Sequence, residues 1–111
     1  MQNILFNDIK HTLAGLSDAE RAKFQGSTVL ITGCAGFLGY YMMNFFAAEA
    51  EELGIKKIIG LDNFMLGHPE WVKNLEQNPK VDIQKFDIIK DKIQDIEGAD
   101  EADFIILMAS I

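Results

Sequence analysis

The sequence predicts an α/β fold built around a parallel sheet. Four short apolar runs recur along the 111 residues, and segments with helical character separate them. Strands that alternate with helices form right-handed βαβ units, and such units build parallel sheets. Glycine, proline and asparagine stand at many of the borders between these segments, as expected of turns.

The predicted strands cover residues 28–32, 56–61, 81–86 and 103–109. The first two are continuous apolar runs, which is typical of parallel strands that are covered on both faces. We therefore expect helices on both faces of the sheet, and we expect the fourth strand to pair beside the first.

Three helical segments are predicted between these strands. The first runs from a glycine-spaced turn to about Leu53, with Gly54 as its stop. The second spans about 69–77, because proline suits the first helical turn, and the third is a short helix over 90–96. The apolar residues of the first helix are predicted to pack on the sheet, with a partner subunit as the alternative, and its acidic residues to lie on a solvated face. The apolar residues are Met42, Met43, Phe45 and Phe46. The acidic residues are Glu49, Glu51 and Glu52.

Residues 1–26 are predicted to form a helical extension ahead of the sheet portion, residues 27–111. Apolar residues at helical spacing, including Ile4, Leu5 and Ile9, indicate a short amphipathic helix. Residues 17–20, with the sequence SDAE, have the pattern of a capping box and predict a second helix over 19–24.

Composition excludes several classes of protein. The chain has 10 Lys and Arg against 17 Asp and Glu, a net charge of −7, which argues against a nucleic-acid partner. It contains no apolar run of the roughly 18 residues that span a membrane, and no secretory signal pattern. A single cysteine, Cys34, fits a cytoplasmic protein.

The last predicted strand is followed by only two residues. A parallel strand is normally followed by a helix that covers it, so we expect the chain to be the front part of a larger protein. The alternative is a complete four-stranded sheet.

Residues 32–39, with the sequence TGCAGFLG, are the most informative stretch. They follow a predicted strand, open a predicted helix and have the spacing G-x-x-G-x-x-G, the context that a dinucleotide fingerprint requires. Gly33 would allow the tight turn, Gly36 the close approach of a pyrophosphate, and Gly39 the close packing of helix on strand. The alternative is a purely structural turn.

Two further features support a dinucleotide. The backbone N–H groups near Phe37 and Leu38 would point at the phosphates, at the positive end of the helix dipole. Asp62 follows at the distance of about 20 residues expected for the acid that binds the adenosine ribose. Its charge would repel a 2′-phosphate, and no Lys or Arg follows it before Lys73, so NAD is favoured over NADP. The alternative for Asp62 is an Asx-turn in a surface loop.

Residues 32–39 resemble the TGGAGFIG motif of the extended short-chain dehydrogenases/reductases, NAD-dependent enzymes that modify nucleotide sugars. Three further segments resemble motifs of this family in the same order, namely Leu61 to Phe64 (LDNF), Asp87-Ile88 and Leu107 to Ser110 (LMAS). The resemblance covers about residues 27–111 and implies a Rossmann-type sheet, of which this chain holds the N-terminal half.

The resemblance also implies a set of cofactor-binding residues. Asp62 would hold the adenosine ribose with Asn63 beside it, while Asp87 and the backbone of Ile88 would meet the adenine. The end of the fourth strand would lie near the nicotinamide-side ribose, and Gly67 would offer its backbone N–H. The full set is Gly33, Gly36, Phe37, Leu38, Gly39, Asp62, Asn63, Gly67, Asp87, Ile88, Met108, Ala109 and Ser110.

Three residues depart from the family pattern. Cys34 replaces a glycine, Leu107 replaces a histidine, and Leu66 replaces a hydroxyl residue before Gly67. Cys34 is predicted to be a small filler of the loop. The alternative is a reactive thiol, activated by the nearby helix N-terminus.

No catalytic residue is assigned in this chain. The family's catalytic Tyr-x-x-x-Lys is absent, because Asn44 and Phe45 stand four residues after Tyr40 and Tyr41. A tyrosine acts as general base only when a nearby lysine lowers its pKa.

The resemblance therefore implies the NAD-binding part of a nucleotide-sugar epimerase, 4,6-dehydratase or decarboxylase. Its substrate would be a nucleoside-diphosphate sugar, and the intact enzyme would be a cytoplasmic homodimer. Two alternatives stay open, a non-catalytic dinucleotide-binding regulatory module and a simple NAD-dependent reductase.

Overall fold

The computed structural model describes residues 15–65, 70–87 and 90–107. The amphipathic helix predicted near the N-terminus lies outside these residues, as does Pro69. Helices and strands alternate along the described chain. In order they are α1 (Asp18–Lys23), β1 (Thr28–Thr32), α2 (Phe37–Leu53), β2 (Lys57–Asp62), α3 (Glu70–Leu75), β3 (Val81–Lys85), two 3₁₀ turns (Ile93–Asp95 and Ala99–Glu101) and β4 (Phe104–Leu107).

The four strands form one parallel sheet in the order β3-β2-β1-β4. β1 lies inside the sheet, with Thr32 opposite Leu61 of β2 on one side and opposite Leu107 of β4 on the other. The predicted α/β fold is confirmed, as is the pairing of the fourth strand beside the first. The order reverses at β1, so the carboxyl ends of β1 and β4 flank the crevice where open α/β sheets bind ligands.

One face of the sheet is covered by α2. Val29 and Ile31 of β1 are fully buried there, and Met43, Phe45 and Phe46 of α2 belong to the same cluster. The predicted packing of the apolar α2 residues on the sheet is therefore confirmed. Burial of this apolar surface is the main stabilising contribution that α2 makes.

The opposite face is covered by the 3₁₀ turns. Leu30, Ile59 and Leu61 pack there against buried Ala99, with Ile93 partly buried beside them. The sequence predicts a short helix over 90–96, and the structure has a 3₁₀ turn within that range instead. Because a 3₁₀ turn has three residues per turn, Ile93 and Ile96 lie on the same side and both pack against this face of the sheet.

α1 begins at the predicted capping box, and Leu16 and Phe24, which flank the helix, pack against the apolar cluster under α2. The Glu20 N–H donates to Ser17 Oγ at 3.1 Å, and the Ser17 N–H donates to Glu20 Oε1 at 2.9 Å. Just after this helix, the Phe24 ring packs on Phe104 of β4 with 4.8 Å between centroids. The residues before β1 therefore contact the edge strand of the sheet directly.

The solvated face predicted for the acidic end of α2 is wrong at one position. Glu51 and Glu52 are exposed, whereas Glu49 is only 1% exposed. Glu49 lies about one helical turn from Phe45 and from Leu53, which are both buried, so it shares the face that packs on the sheet.

α2 ends where the sequence predicts, because Gly54 adopts the left-handed conformation with φ of 74°. α3 is shorter than the predicted 69–77, since the chain leaves the helix after Leu75 and turns toward β3. Among the described residues, no helix has the length and apolar character required to cross a membrane.

Candidate functional site

The glycine loop lies at the carboxyl end of β1, beside the end of β2. The N–H groups of Gly33 and Cys34 both donate to the Leu61 carbonyl oxygen, at 2.7 and 3.1 Å. The Ala35 N–H donates to Asp62 Oδ2 at 3.1 Å. The structure thus brings together the two features that the sequence places far apart, the glycine loop and the acidic residue.

Gly33 and Gly39 are required by the fold itself. Gly33 has φ of 73°, in the left-handed region where glycine has no steric cost. A Cβ at Gly39 would collide with the main chain of Gly33 and Cys34, lying 2.5 Å from the Cys34 carbonyl oxygen. These are the tight turn and the close helix–strand packing that the sequence predicts.

Gly36 is different, because nothing among the described residues requires a glycine there. Its φ of −80° and ψ of −178° are extended values that any residue adopts. Within residues 15–65, 70–87 and 90–107, a Cβ at this position would have one neighbour, the Gly33 carbonyl oxygen at 3.4 Å, and the residue is exposed. The space beside Gly36 is therefore open toward solvent.

The N-terminus of α2 points into this open space. Tyr40 is the first residue of α2 whose N–H donates to a preceding carbonyl oxygen, that of Gly36 at 2.9 Å. The N–H groups of Leu38 and Gly39 find no acceptor in the described ranges, and the N-cap Gly36 has no side chain to supply one. Phe37 opens the helix, so the loop presents main-chain donors together with the positive end of the helix dipole.

Asp62 is shared between two segments of main chain. Its Oδ2 accepts from Ala35, and its Oδ1 accepts from the Phe64 N–H at 2.8 Å. The second bond is the Asx-turn that the sequence analysis names as the alternative for Asp62. Both features are present, so the Asx-turn does not displace the contact with the glycine loop.

The residues after β2 and β3 complete this edge of the sheet. Asn63 is exposed, and its Oδ1 accepts from the Met65 N–H at 2.9 Å, so the side chain stabilises its own turn. Asp87 begins a turn in which its N–H donates to Asp91 Oδ2 at 2.8 Å. Gly67, Ile88, Met108, Ala109 and Ser110 lie outside the described residues.

One cation near Asp62 cannot be found by reading along the chain. The β2–β3 register sets exposed Lys85 opposite Asp62. The stretch from Asp62 to Lys73 contains no Lys or Arg before Lys73, whereas Lys85 reaches this position from the adjacent strand. Strand register is a tertiary property, and no local pattern in the sequence signals it.

Cys34 is a buried filler, and the alternative of a reactive thiol is wrong. The residue is 0% exposed. Burial, with a further contribution from the Asp62 charge, raises the pKa of the Cys34 thiol to about 12, whereas a reactive cysteine needs a lowered pKa. A Cβ at Gly60 would lie 3.0 Å from Cys34 Sγ, so a glycine in β2 makes room for the thiol. This role of Gly60 was not among the predictions, although a glycine inside a strand signals close approach.

Large apolar side chains surround this edge of the sheet. Leu38, Met65 and Leu107 are 61%, 81% and 68% exposed, and they follow or end β1, β2 and β4 respectively. The described part of the chain holds no group of three or more His, Cys, Asp or Glu suited to a metal ion. The site is therefore built from main-chain donors, one carboxylate and an apolar rim.

Comparisons with known proteins add no family to this description. None of the models of known protein families matches the chain, and no curated protein matches it.

Proposed function

We propose that this chain is the NAD-binding part of an enzyme that modifies nucleotide sugars by transient oxidation. The observation that carries the dinucleotide site is Gly36. Gly33 and Gly39 have structural reasons to be glycine, whereas the described part of the chain gives none for Gly36. A site for a pyrophosphate explains all three glycines, because the second must leave the main chain open to the ligand.

The donors at the start of α2 fit the same group. A pyrophosphate needs N–H donors and a positive potential, and the N-terminus of a 17-residue helix supplies both. The first turn of α2, residues 37–40, carries no acidic side chain that would repel an anion. The N–H groups of Leu38 and Gly39 would donate to the phosphate oxygens.

Asp62 fits the ribose of the adenosine half. Each of its carboxylate oxygens accepts one main-chain N–H bond, so each retains capacity to accept another bond, from a ribose hydroxyl. A carboxylate at this position disfavours a 2′-phosphate, and NAD is preferred for that reason. Because Lys85 lies on the adjacent strand, the preference depends on the Asp62 charge and not on a lack of cations nearby.

The nucleotide-sugar part of the proposal is supported by the resemblance of four ordered motifs to the extended short-chain dehydrogenases/reductases. Bound NAD supplies a reversible hydride acceptor, which is the chemistry that transient oxidation of a sugar hydroxyl requires. This chain would bind and orient that cofactor, and the general base of the reaction would come from residues outside it. The same proposal takes the intact enzyme as a cytoplasmic homodimer acting on a nucleoside-diphosphate sugar.

The decisive experiment for the dinucleotide site is the substitution Gly36→Val. Calorimetric titration of NAD into the intact protein should show binding, and the variant should bind at least about 100-fold more weakly, a loss of about 3 kcal/mol. The fold should survive, because a Cβ at position 36 would make only an ordinary contact within the described chain, with the Gly33 carbonyl oxygen at 3.4 Å. Ala48→Val is the matched control, since Ala48 is exposed on the same helix at a distance of several turns from the site.

Two outcomes would contradict the proposal at different levels. Normal NAD affinity in Gly36→Val would reduce the loop to a structural turn. Binding of NAD without turnover of any nucleoside-diphosphate sugar by the intact protein would favour the non-catalytic regulatory module, and net reduction of a substrate would favour the simple reductase.

A further inference from the structure

The glycine loop is fastened to the end of β2 by three consecutive N–H groups. Two of them donate to the carbonyl oxygen of Leu61 and depend on main chain alone. The third, from Ala35, depends on the Asp62 side chain. It can therefore be removed by substitution while the other two remain in place.

The same carboxylate fixes the turn after β2. Asp62 Oδ1 accepts from Phe64, whose φ of 57° lies in the left-handed region that a bulky residue rarely adopts. One side chain thus holds the loop after β1 and the turn after β2 in a single arrangement, through contacts that the protein itself supplies. The Ala35 N–H belongs to the peptide between Cys34 and Ala35, so this bond fixes the peptide that lies one residue before the open position at Gly36.

We propose that Asp62 is a positioning residue for the glycine loop, in addition to its contact with the ribose. Its carboxylate holds the loop in the conformation that accepts the phosphates, so it contributes to binding of the phosphate part of the ligand, which it does not touch. The consequence for the ligand rests on the proposed function. The positioning of Ala35 does not, because it is a property of the protein alone.

The charge of Asp62 makes this proposal testable. A carboxylate beside a phosphate site repels the anion, so a residue that served the ribose alone would leave phosphate binding unchanged or improved when neutralised. A positioning residue has the opposite effect, because its loss releases the loop. The two roles therefore predict opposite signs for the same measurement.

Asp62→Asn is the informative variant. Asparagine keeps one oxygen that accepts from Phe64 and replaces the other by an amide group, which cannot accept from Ala35. Asp62→Ser provides a second variant, since serine also stabilises a turn of this kind. The matched control is Asp103→Asn, because Asp103 Oδ2 accepts from the Thr28 N–H at 2.9 Å and makes the same kind of bond at the opposite end of β1.

The first measurement is amide hydrogen exchange in the intact protein without ligand, followed by NMR. Asp62→Asn should raise the exchange rate at Ala35 about tenfold or more, the scale expected for one hydrogen bond to a charged group. Asp103→Asn should raise exchange at Thr28 and leave Ala35 unchanged. An unchanged Ala35 rate in both Asp62 variants would overturn the proposal.

The second measurement is titration of inorganic pyrophosphate, with the amide signals of Leu38 and Gly39 as reporters. Asp62→Asn should weaken binding about three- to tenfold, despite the loss of a repelling charge. Equal or tighter binding would overturn the positioning role and leave the ribose contact. If NAD and pyrophosphate both fail to bind the wild-type protein, the proposed function is wrong, and the exchange rate at Ala35 still decides whether Asp62 positions the loop.

Discussion

The two edges of the sheet differ in how their main-chain groups are satisfied. At the amino edge, Ser27 and Thr28 are buried, and their carbonyl oxygens accept from Lys56 and Asp103 at 2.8 Å. At the carboxyl edge, the loop after β1 is exposed at Gly36 and presents N–H groups without acceptors in the described chain. A protein normally satisfies such groups, so an edge that leaves them open is suited to a ligand.

This comparison separates structural from functional use of similar interactions. Asp103 and Asp62 each bind a main-chain N–H of another segment, one at each end of β1. Asp103 lies at the amino edge, where main-chain hydrogen bonds already satisfy the carbonyl groups. Asp62 lies at the carboxyl edge, where N–H groups of the glycine loop have no acceptor in the described chain. We therefore expect equivalent substitutions at the two edges to have different consequences.

The largest effect is expected from glycine substitutions within the carboxyl edge. Gly39→Ala should lower the free energy of unfolding by about 3 kcal/mol, because its Cβ meets the main chain of Gly33 and Cys34, which cannot move aside. Gly36→Ala should change stability by less than about 1 kcal/mol and can raise it, since alanine restricts the unfolded chain. Urea unfolding of both variants measures the difference, and equal losses would show that Gly36 also has a structural role.

A smaller effect is expected from substituting Asp62 and Asp103, the two carboxylates at opposite ends of β1. Asp62→Ala should weaken NAD binding by about 1–3 kcal/mol, the scale for hydrogen bonds to a charged group. It should also reduce the difference in affinity between NAD and NADP. Asp103→Ala should lower stability and leave the affinity for NAD unchanged. Parallel titrations of both cofactors test this, and equal or tighter NADP binding by the wild-type protein would refute the assignment of Asp62.

The exposed apolar residues of β4 lead to a prediction about self-association of the chain. Ile105 and Leu107 are 52% and 68% exposed on β4, a strand with β1 on one side only within the described sheet. Exposed apolar edge strands recruit other chains, so the 111-residue chain should self-associate with rising concentration. Leu107→Lys should weaken association about tenfold in sedimentation experiments, a change of about 1.4 kcal/mol. Met65→Lys, in a loop, is the control, and an effect of the same size there would argue against the strand.

The smallest effect on stability at neutral pH is expected from the ionisation of Cys34, the buried residue of the glycine loop. Its pKa is about 12 in the folded chain against 9.0 for an ordinary thiol, so the folded state favours the protonated form. This contribution to stability is fully present below pH 9 and is lost as the pH rises toward 12. Iodoacetamide at pH 8 should label the native chain far more slowly than the unfolded chain, because the thiolate fraction is about a thousandfold smaller. Rapid native labelling would show that the loop opens.

Much of the site was predictable because glycine has few substitutes. The glycine spacing between a predicted strand and a predicted helix predicts a tight turn at Gly33 and close packing at Gly39, and the structure shows a left-handed φ at the first and no room for a Cβ at the second. The partners of these residues were not predictable. That Cys34 rests on Gly60, or that Lys85 lies opposite Asp62, depends on which strands pair and in which register.

The strands, the capping box of α1, the end of α2 at Gly54 and the glycine loop were predictable from the sequence, because each depends on residues a few positions apart. The tertiary structure was needed for the place of β3 beside β2, the burial of Glu49 and the 3₁₀ turns over the second face. It also decided the bond between Asp62 and Ala35, 27 residues apart along the chain. Local patterns set which conformation a segment prefers, whereas contacts between distant segments are selected by burial and hydrogen bonding in the folded chain as a whole.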